Sequence, residues 1–107
     1  MHRVKLRAIA HARAGDKGDT SNLALIVFDR RHYAAVAQQV TPDRVRAWFS
    51  PLVRGRVERF DLPQLGALNF VLYQALGGGV TRSVNIDAHG KSRSARLLEM
   101  EVDVDVD

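Results

Sequence analysis

The chain has 107 residues and no cysteine, so disulfides, thiolate metal centres and a cysteine nucleophile are all excluded. Aromatic residues are scarce, 7% against 46% hydrophobic. That leaves a core built mainly of Val, Leu, Ala and Ile, and few rings on which a nucleic-acid base would stack. Long apolar runs are missing too. The N-terminal segment alternates Val4, Leu6, Ala8 and Ala10 with His2, Arg3, Lys5 and Arg7, which is a strand pattern and not the continuous apolar core of a signal peptide. No stretch approaches the roughly 20 apolar residues that span a bilayer. A soluble, cytoplasmic protein without membrane contact is expected, with one domain over residues 1–107.

Metal-ligand spacing is absent as well. His2, His32 and His89 fall at a terminus, a helix start and a turn, and none stands at ligand distance in sequence from a second ligand. No metal and no cofactor are expected. Acidic residues are thinly spread except at the end, where Glu99, Glu101, Asp103, Asp105 and Asp107 place five of the twelve acids in the last nine residues. Residues 1–98 thus hold sixteen basic and seven acidic side chains, a charge of +9, within an overall +4. The arginines are scattered and not gathered on one helix, which argues against nucleic acid. Anionic metabolites, the phosphates of coenzyme A among them, suit such a surface.

What is present reads as alternating short elements. A first strand is expected at about 3–11 and a second at 22–29 (NLALIVFD), buried on both faces and antiparallel to the first. Asp29 is placed to cap a helix from Arg31 to Gln39, and Thr41-Pro42-Asp43 opens another with a capping hydroxyl, a first-turn proline and an acid at the positive dipole end. Val45, Trp48, Phe49 and Leu52 follow at helical spacing and should face the core. Gly55 and Pro63 bound a third strand at 56–62. Leu65, Leu68, Leu72 and Leu76 predict a helix over 64–76, ended by Gly77-Gly78-Gly79. A hairpin is expected last: 80–86, a turn at 87–90, and a strand from about Arg93 past Val102, with an acidic tail at about 101–107. This order predicts an α+β two-layer sandwich, an antiparallel or mixed sheet with helices on one face.

Residues 11–22, HARAGDKGDTSN, carry more chemistry than a connection requires. The glycines free the backbone, Lys17 adds charge, and Thr20, Ser21 and Asn22 add donors, a combination that builds an anion cradle. The same residues also make an Asx-type loop whose side chains bond their own backbone. The spacing is not that of a phosphate-binding P-loop, because Gly15 and Gly18 are too close and a strand follows. Nor is it a calcium loop. His11, at a strand end, is a candidate general acid or base that Asp16 or Asp19 would orient. Asn69 is an amide beside an apolar stripe, where burial demands a partner. Arg82, after the three glycines, is the best charge partner for a carboxylate or phosphate.

Three strings, HARAGDKGDTSN, VRGRVERFDLPQLGALNFVL and ALGGGVTRSVNIDAHGK, resemble the domain at the C-terminal end of proteins of the acyclic terpene utilisation AtuA family, which also occurs as a small separate chain. The resemblance covers about residues 6–101. It implies a ferredoxin-like fold, a link to catabolism of branched acyl-CoA thioesters, and a larger AtuA-type partner. No catalytic residue is carried over. A small subunit or accessory domain contributing to a shared site is the leading expectation, with Lys17, Thr20, Ser21, Asn22, Asn69 and Arg82 as ligand-binding candidates. The alternative is a non-catalytic oligomerisation or assembly module, and a homo-oligomer is expected.

Overall fold

The computed structural model describes residues 2–18, 20–50, 53, 55–74 and 91–105. Its strands are β1 (His2–Lys5), β2 (Ala10–Lys17), β3 (Thr20–Val27), β4 (Val57–Leu62), β5 (Ala67–Leu72) and β6 (Glu101–Val104). The helices are α1 (Tyr33–Gln39), α2 (Pro42–Trp48) and α3 (Lys91–Leu98). Strands β2, β3, β5 and β4 lie side by side in that order, and β1 pairs separately with β6. Every pairing among the described strands is antiparallel.

Side chains of the four-stranded sheet divide by parity, because successive residues of a strand point to opposite faces. Ser21, Leu23 and Leu25 of β3 stand opposite Leu72, Phe70 and Leu68 of β5, and all six are buried. Val36 of α1, Val45 of α2 and Leu97 of α3 join the same core. From the core side of β4, Arg59 donates through Nη1 to the Ala37 and Val40 carbonyls at 2.5 and 3.1 Å, tying down the end of α1. All three described helices therefore cover one face of the sheet, the expected α+β two-layer arrangement.

Two helix starts form as their sequences dictate. Asp29 Oδ1 accepts the Arg31 amide at 3.0 Å, opening a 3-10 turn over Arg30–His32 that leads into α1. Thr41 Oγ1 accepts the Arg44 amide at 3.1 Å, with Pro42 in the first turn of α2. Each cap supplies one acceptor to amides that have no partner inside the helix. The outer edge of β6 is closed by a side chain. Gln39 Nε2 donates to the Asp103 carbonyl at 2.7 Å and Gln39 Oε1 accepts the Asp103 amide at 2.7 Å. A carboxamide thus stands in for one residue of a further strand.

Several expectations give way to tertiary structure. The strand expected at 3–11 is broken by a 3-10 turn at Leu6–Ala8, where Leu6 turns into the core. The second strand is not buried on both faces, since Asn22 is exposed and Ala24 and Ile26 only half-buried. The helix expected over 64–76 is instead a 3-10 turn at Pro63–Leu65 followed by β5, its final residues lying outside the described ones. Gly66, at φ +61°, makes that turn, and an added Cβ would meet Val27 Cγ2 at 3.0 Å. Residues 93–98, expected as the start of a strand, belong instead to the helix Lys91–Leu98, with Arg93 and Leu97 buried one turn apart. Within the acidic end, residues 101–104 form β6. Trp48 is 37% exposed instead of facing the core, and its indole donates to the Arg96 carbonyl at 2.7 Å. Leu52, the three glycines at 77–79 and the hairpin at 80–90 lie outside the described residues.

Replacing Gln39 by Ala leaves the amide and carbonyl of Asp103 without partners, and should lower the unfolding free energy by about 1–3 kcal/mol in urea titrations. A second expectation concerns pH. A hydrogen bond from Lys5 holds the Glu99 carboxyl below its ordinary range, and one from Arg3 does the same for Asp103. Their stabilisation is present above about pH 4, the unfolded value, and is lost as pH falls through the lowered folded values. Lys5→Met should therefore differ most from the parent at neutral pH, and urea midpoints taken down to pH 2 should converge.

Candidate functional site

The polar segment at 11–22 is not a loop. Residues 11–17 belong to β2 and 20–22 to β3, in register from Ala10↔Val27 to Lys17↔Thr20. The connection is two residues long and begins at Gly18, whose φ of +61° is the left-handed conformation that a tight hairpin requires. Asp19 lies outside the described residues, as does Arg82.

Pairing sorts the candidate residues between two faces. Asp16 and Ser21 are opposite one another on the core side. His11, Lys17, Thr20, Asn22 and Asn69 share the other face. There Asn22 lies opposite Gly15 and Val71, Asn69 lies opposite Ala24 and Phe60, and Arg13 lies opposite Ala24. Asn69 thus sits on a central strand between Arg13 and Phe60, two strands from the former and one from the latter, and not on a helix. It belongs to the open face, which no described helix covers.

On the core side Arg93, from α3, donates to Asp16 Oδ2. The Arg93 side chain is 5% exposed and that of Asp16 is 25% exposed, so the pair is screened far less than a surface ion pair. Beside it Ser21 Oγ is enclosed and has no hydrogen-bond partner among the described residues. This cluster clamps α3 to the hairpin end of the sheet. Arg93 carried no distinct signal in the sequence, because an arginine in KSRSARLL reads as solvated until the helix docks.

On the open face His11 stacks against Phe28, ring centroids 5.6 Å apart and nearly parallel. Parity sets its imidazole on the opposite side of the sheet from the Asp16 carboxylate, so the structure does not bring these two together as a base and its orienting acid. The residues that sequence reasoning passed over are apolar. Phe28, Phe60, Leu62 and Leu65 are 65%, 50%, 42% and 64% exposed, and Phe60 and Leu62 stand on this face beside half-buried Ile26 and Val71. The signal for Phe60 and Leu62 was in VERFDL, where two of the three residues in the phase away from the core are apolar while the core phase carries Arg59 and Asp61.

The border along β4 carries a further cluster. The Arg56 guanidinium lies 4.1 Å above the Tyr73 ring, and the Tyr73 hydroxyl donates to Glu58 Oε1 at 2.7 Å. That hydrogen bond raises the phenol above its ordinary value. A shallow groove of about 320 Å³ between α2 and β4 is lined by Pro42, Asp43, Arg46, Gly55, Arg56 and Val57. None of the described candidate residues lines it. Among the described residues no three His, Asp or Glu side chains are grouped to hold a metal, and no helix is long and apolar enough to cross a membrane.

Residues 4–103 match the model of a protein family described as the AtuA ferredoxin-like domain. No curated protein and no solved structure matches the chain.

The Arg93 clamp predicts a separation of roles. Arg93→Met breaks an ion pair shielded from water and leaves the Asp16 carboxylate uncompensated, a loss of about 3 kcal/mol in urea unfolding. His11→Ala removes only an exposed stack on Phe28 and should cost about 1 kcal/mol or less.

Proposed function

The chain belongs to the AtuA ferredoxin-like domain family, and we propose that it serves as a small subunit or accessory domain of an acyl-CoA-linked catabolic enzyme. Its substrates would be branched or acyclic terpenoid acids, met at a site shared with a larger AtuA-type partner in the cytoplasm. The observation that carries this reading is the open face of the sheet. Lys17, Thr20 and Asn22 lie together at the hairpin end of this face, with Asn69 on the next strand and His11 at the other end, each able to donate to a carboxylate or to a phosphate of coenzyme A. Yet the face offers no enclosing cleft among the described residues, and the nearest candidate acid, Asp16, is engaged by Arg93 on the other side. A thioester site needs walls that exclude water and a positioned acid or base. A second chain laid over the face supplies the walls.

A second reading, a non-catalytic assembly module, draws on the exposed Phe28, Phe60, Leu62 and Leu65, since apolar side chains clustered on one surface mark association. The two differ in whether small molecules bind.

Thermal-shift measurements on this protein, alone and with the larger AtuA-type subunit, against acyl-CoA thioesters and free acids separate them. A ligand at 100 times its Kd stabilises by about 2.7 kcal/mol, and that shift is expected in the mixture together with activity that neither chain shows alone. Full activity of the larger subunit without this chain, with no shift in either preparation, would defeat the first reading.

A further inference from the structure

The described helices use one side of the four-stranded sheet, and the chemistry of the other side describes what it meets. Its middle is largely apolar: Ile26, Ala67 and Leu62 form one row across three strands, and Ala24 and Phe60 flank the single amide of Asn69 in the next. Phe28 and Leu65, both largely exposed, extend the apolar surface past the strand ends. Its β2 rim is basic, with Arg13 and Lys17 on this face. At the β4 border the Arg56 cation, lying over Tyr73, is paired with the Glu58 carboxylate, which also accepts from the Tyr73 hydroxyl, so among the described residues the excess of positive charge lies along β2.

Resting on the reading that a larger subunit completes the site, we infer that this open face is the docking surface, and that it takes a subunit surface with an apolar centre and an acidic rim. Two considerations favour that occupant over a second copy of the chain. The first is charge. A copy would bring the same basic β2 rim, and the acid it presents on this face among the described residues is the carboxylate already held by its own Tyr73 and Arg56. The second is area. Four strands about 4.8 Å apart and about six residues long, at about 3.4 Å each, make a face of roughly 400 Å². Two copies would bury roughly 800 Å² in total, the size of a lattice contact and well below a stable dimer. A larger subunit continues beyond Phe28 and Leu65 and gathers the missing area. Phe60, at the middle of the β4 border, is then the anchor, while Arg13 and Lys17 steer the approach.

The test measures binding of the larger AtuA-type subunit to the whole chain and to three variants. Phe60→Glu introduces a charge into the exposed apolar row, Arg13→Glu reverses the β2 rim, and Gln38→Glu changes an exposed position of α1 on the helical side. Phe60 is half exposed, so its replacement should leave the thermal midpoint nearly unchanged, which circular dichroism verifies. Phe60→Glu is expected to weaken binding at least 100-fold. Arg13→Glu should slow association about tenfold at low salt, with the difference shrinking as salt rises, and Gln38→Glu should bind as the parent does. If the parent complex forms and Phe60→Glu binds equally well, the docking surface is wrong while the shared-site reading stands. If the parent forms no complex, both fall. Self-association of the parent at micromolar concentration that Phe60→Glu abolishes would assign the face to a second copy and overturn the inference as well.

Discussion

One row of contacts organises this molecule: the buried side chains that β3 and β5 send to the same face, with Leu23 against Phe70 and Leu25 against Leu68. These two strands occupy the middle of the sheet and carry its largest apolar side chains, so the helices must cover that face. Once α1, α2 and α3 have done so, no other described helix is left to cover the opposite face. The antiparallel register then fixes every remaining position by parity, since a slip of one residue would exchange the two faces. Burial of one face and exposure of the other are a single decision.

That decision also distributes the chemistry of residues 11–22. Read along the chain, His11, Asp16, Lys17 and Ser21 are neighbours. On the hairpin, Asp16 and Ser21 turn toward Arg93 and hold α3 against the sheet, while His11 and Lys17 turn outward. The segment serves two purposes because a strand has two sides. Charge follows the same division: carboxylates at Glu99 and Asp103 are matched by Lys5 and Arg3 across the β1–β6 end, whereas the open face keeps an excess of cations.

Local signals were read correctly where a single side chain satisfies a nearby backbone group. Asp29 and Thr41 cap the helices that follow them, and a capping oxygen acts within three residues, so no distant contact has to be known. The strand at 56–62 was legible because its punctuation, Gly55 and Pro63, is equally local. Residues 64–76 misled for a definite reason. Leu68 and Leu72 are four apart, which fits a helical stripe and is also an even number, so the same pair fits one face of a strand. Phe70 between them is the discriminating residue, buried with both, and Gly66 in the left-handed region stops any helix from beginning earlier. At 93–102 the error runs the other way: Arg93, Leu97 and Met100 are buried at helical spacing, but a basic residue heading that series hides it, since arginine is seldom buried without a partner.

Composition, cap residues and the pairing of odd motifs determined the class of fold and the family, because those properties depend on residues close together or on their number alone. Which residues share a surface was decided only by tertiary structure. Asn69 reaches the outward face because β5 is central and in register with β3, and Asp16 turns to the helical side of the sheet, where Arg93, 77 positions away along the chain, meets it. Neither follows from spacing along one segment. The face that remains open, apolar in the middle and basic at its rim, exists only once four strands separated in sequence have been laid side by side.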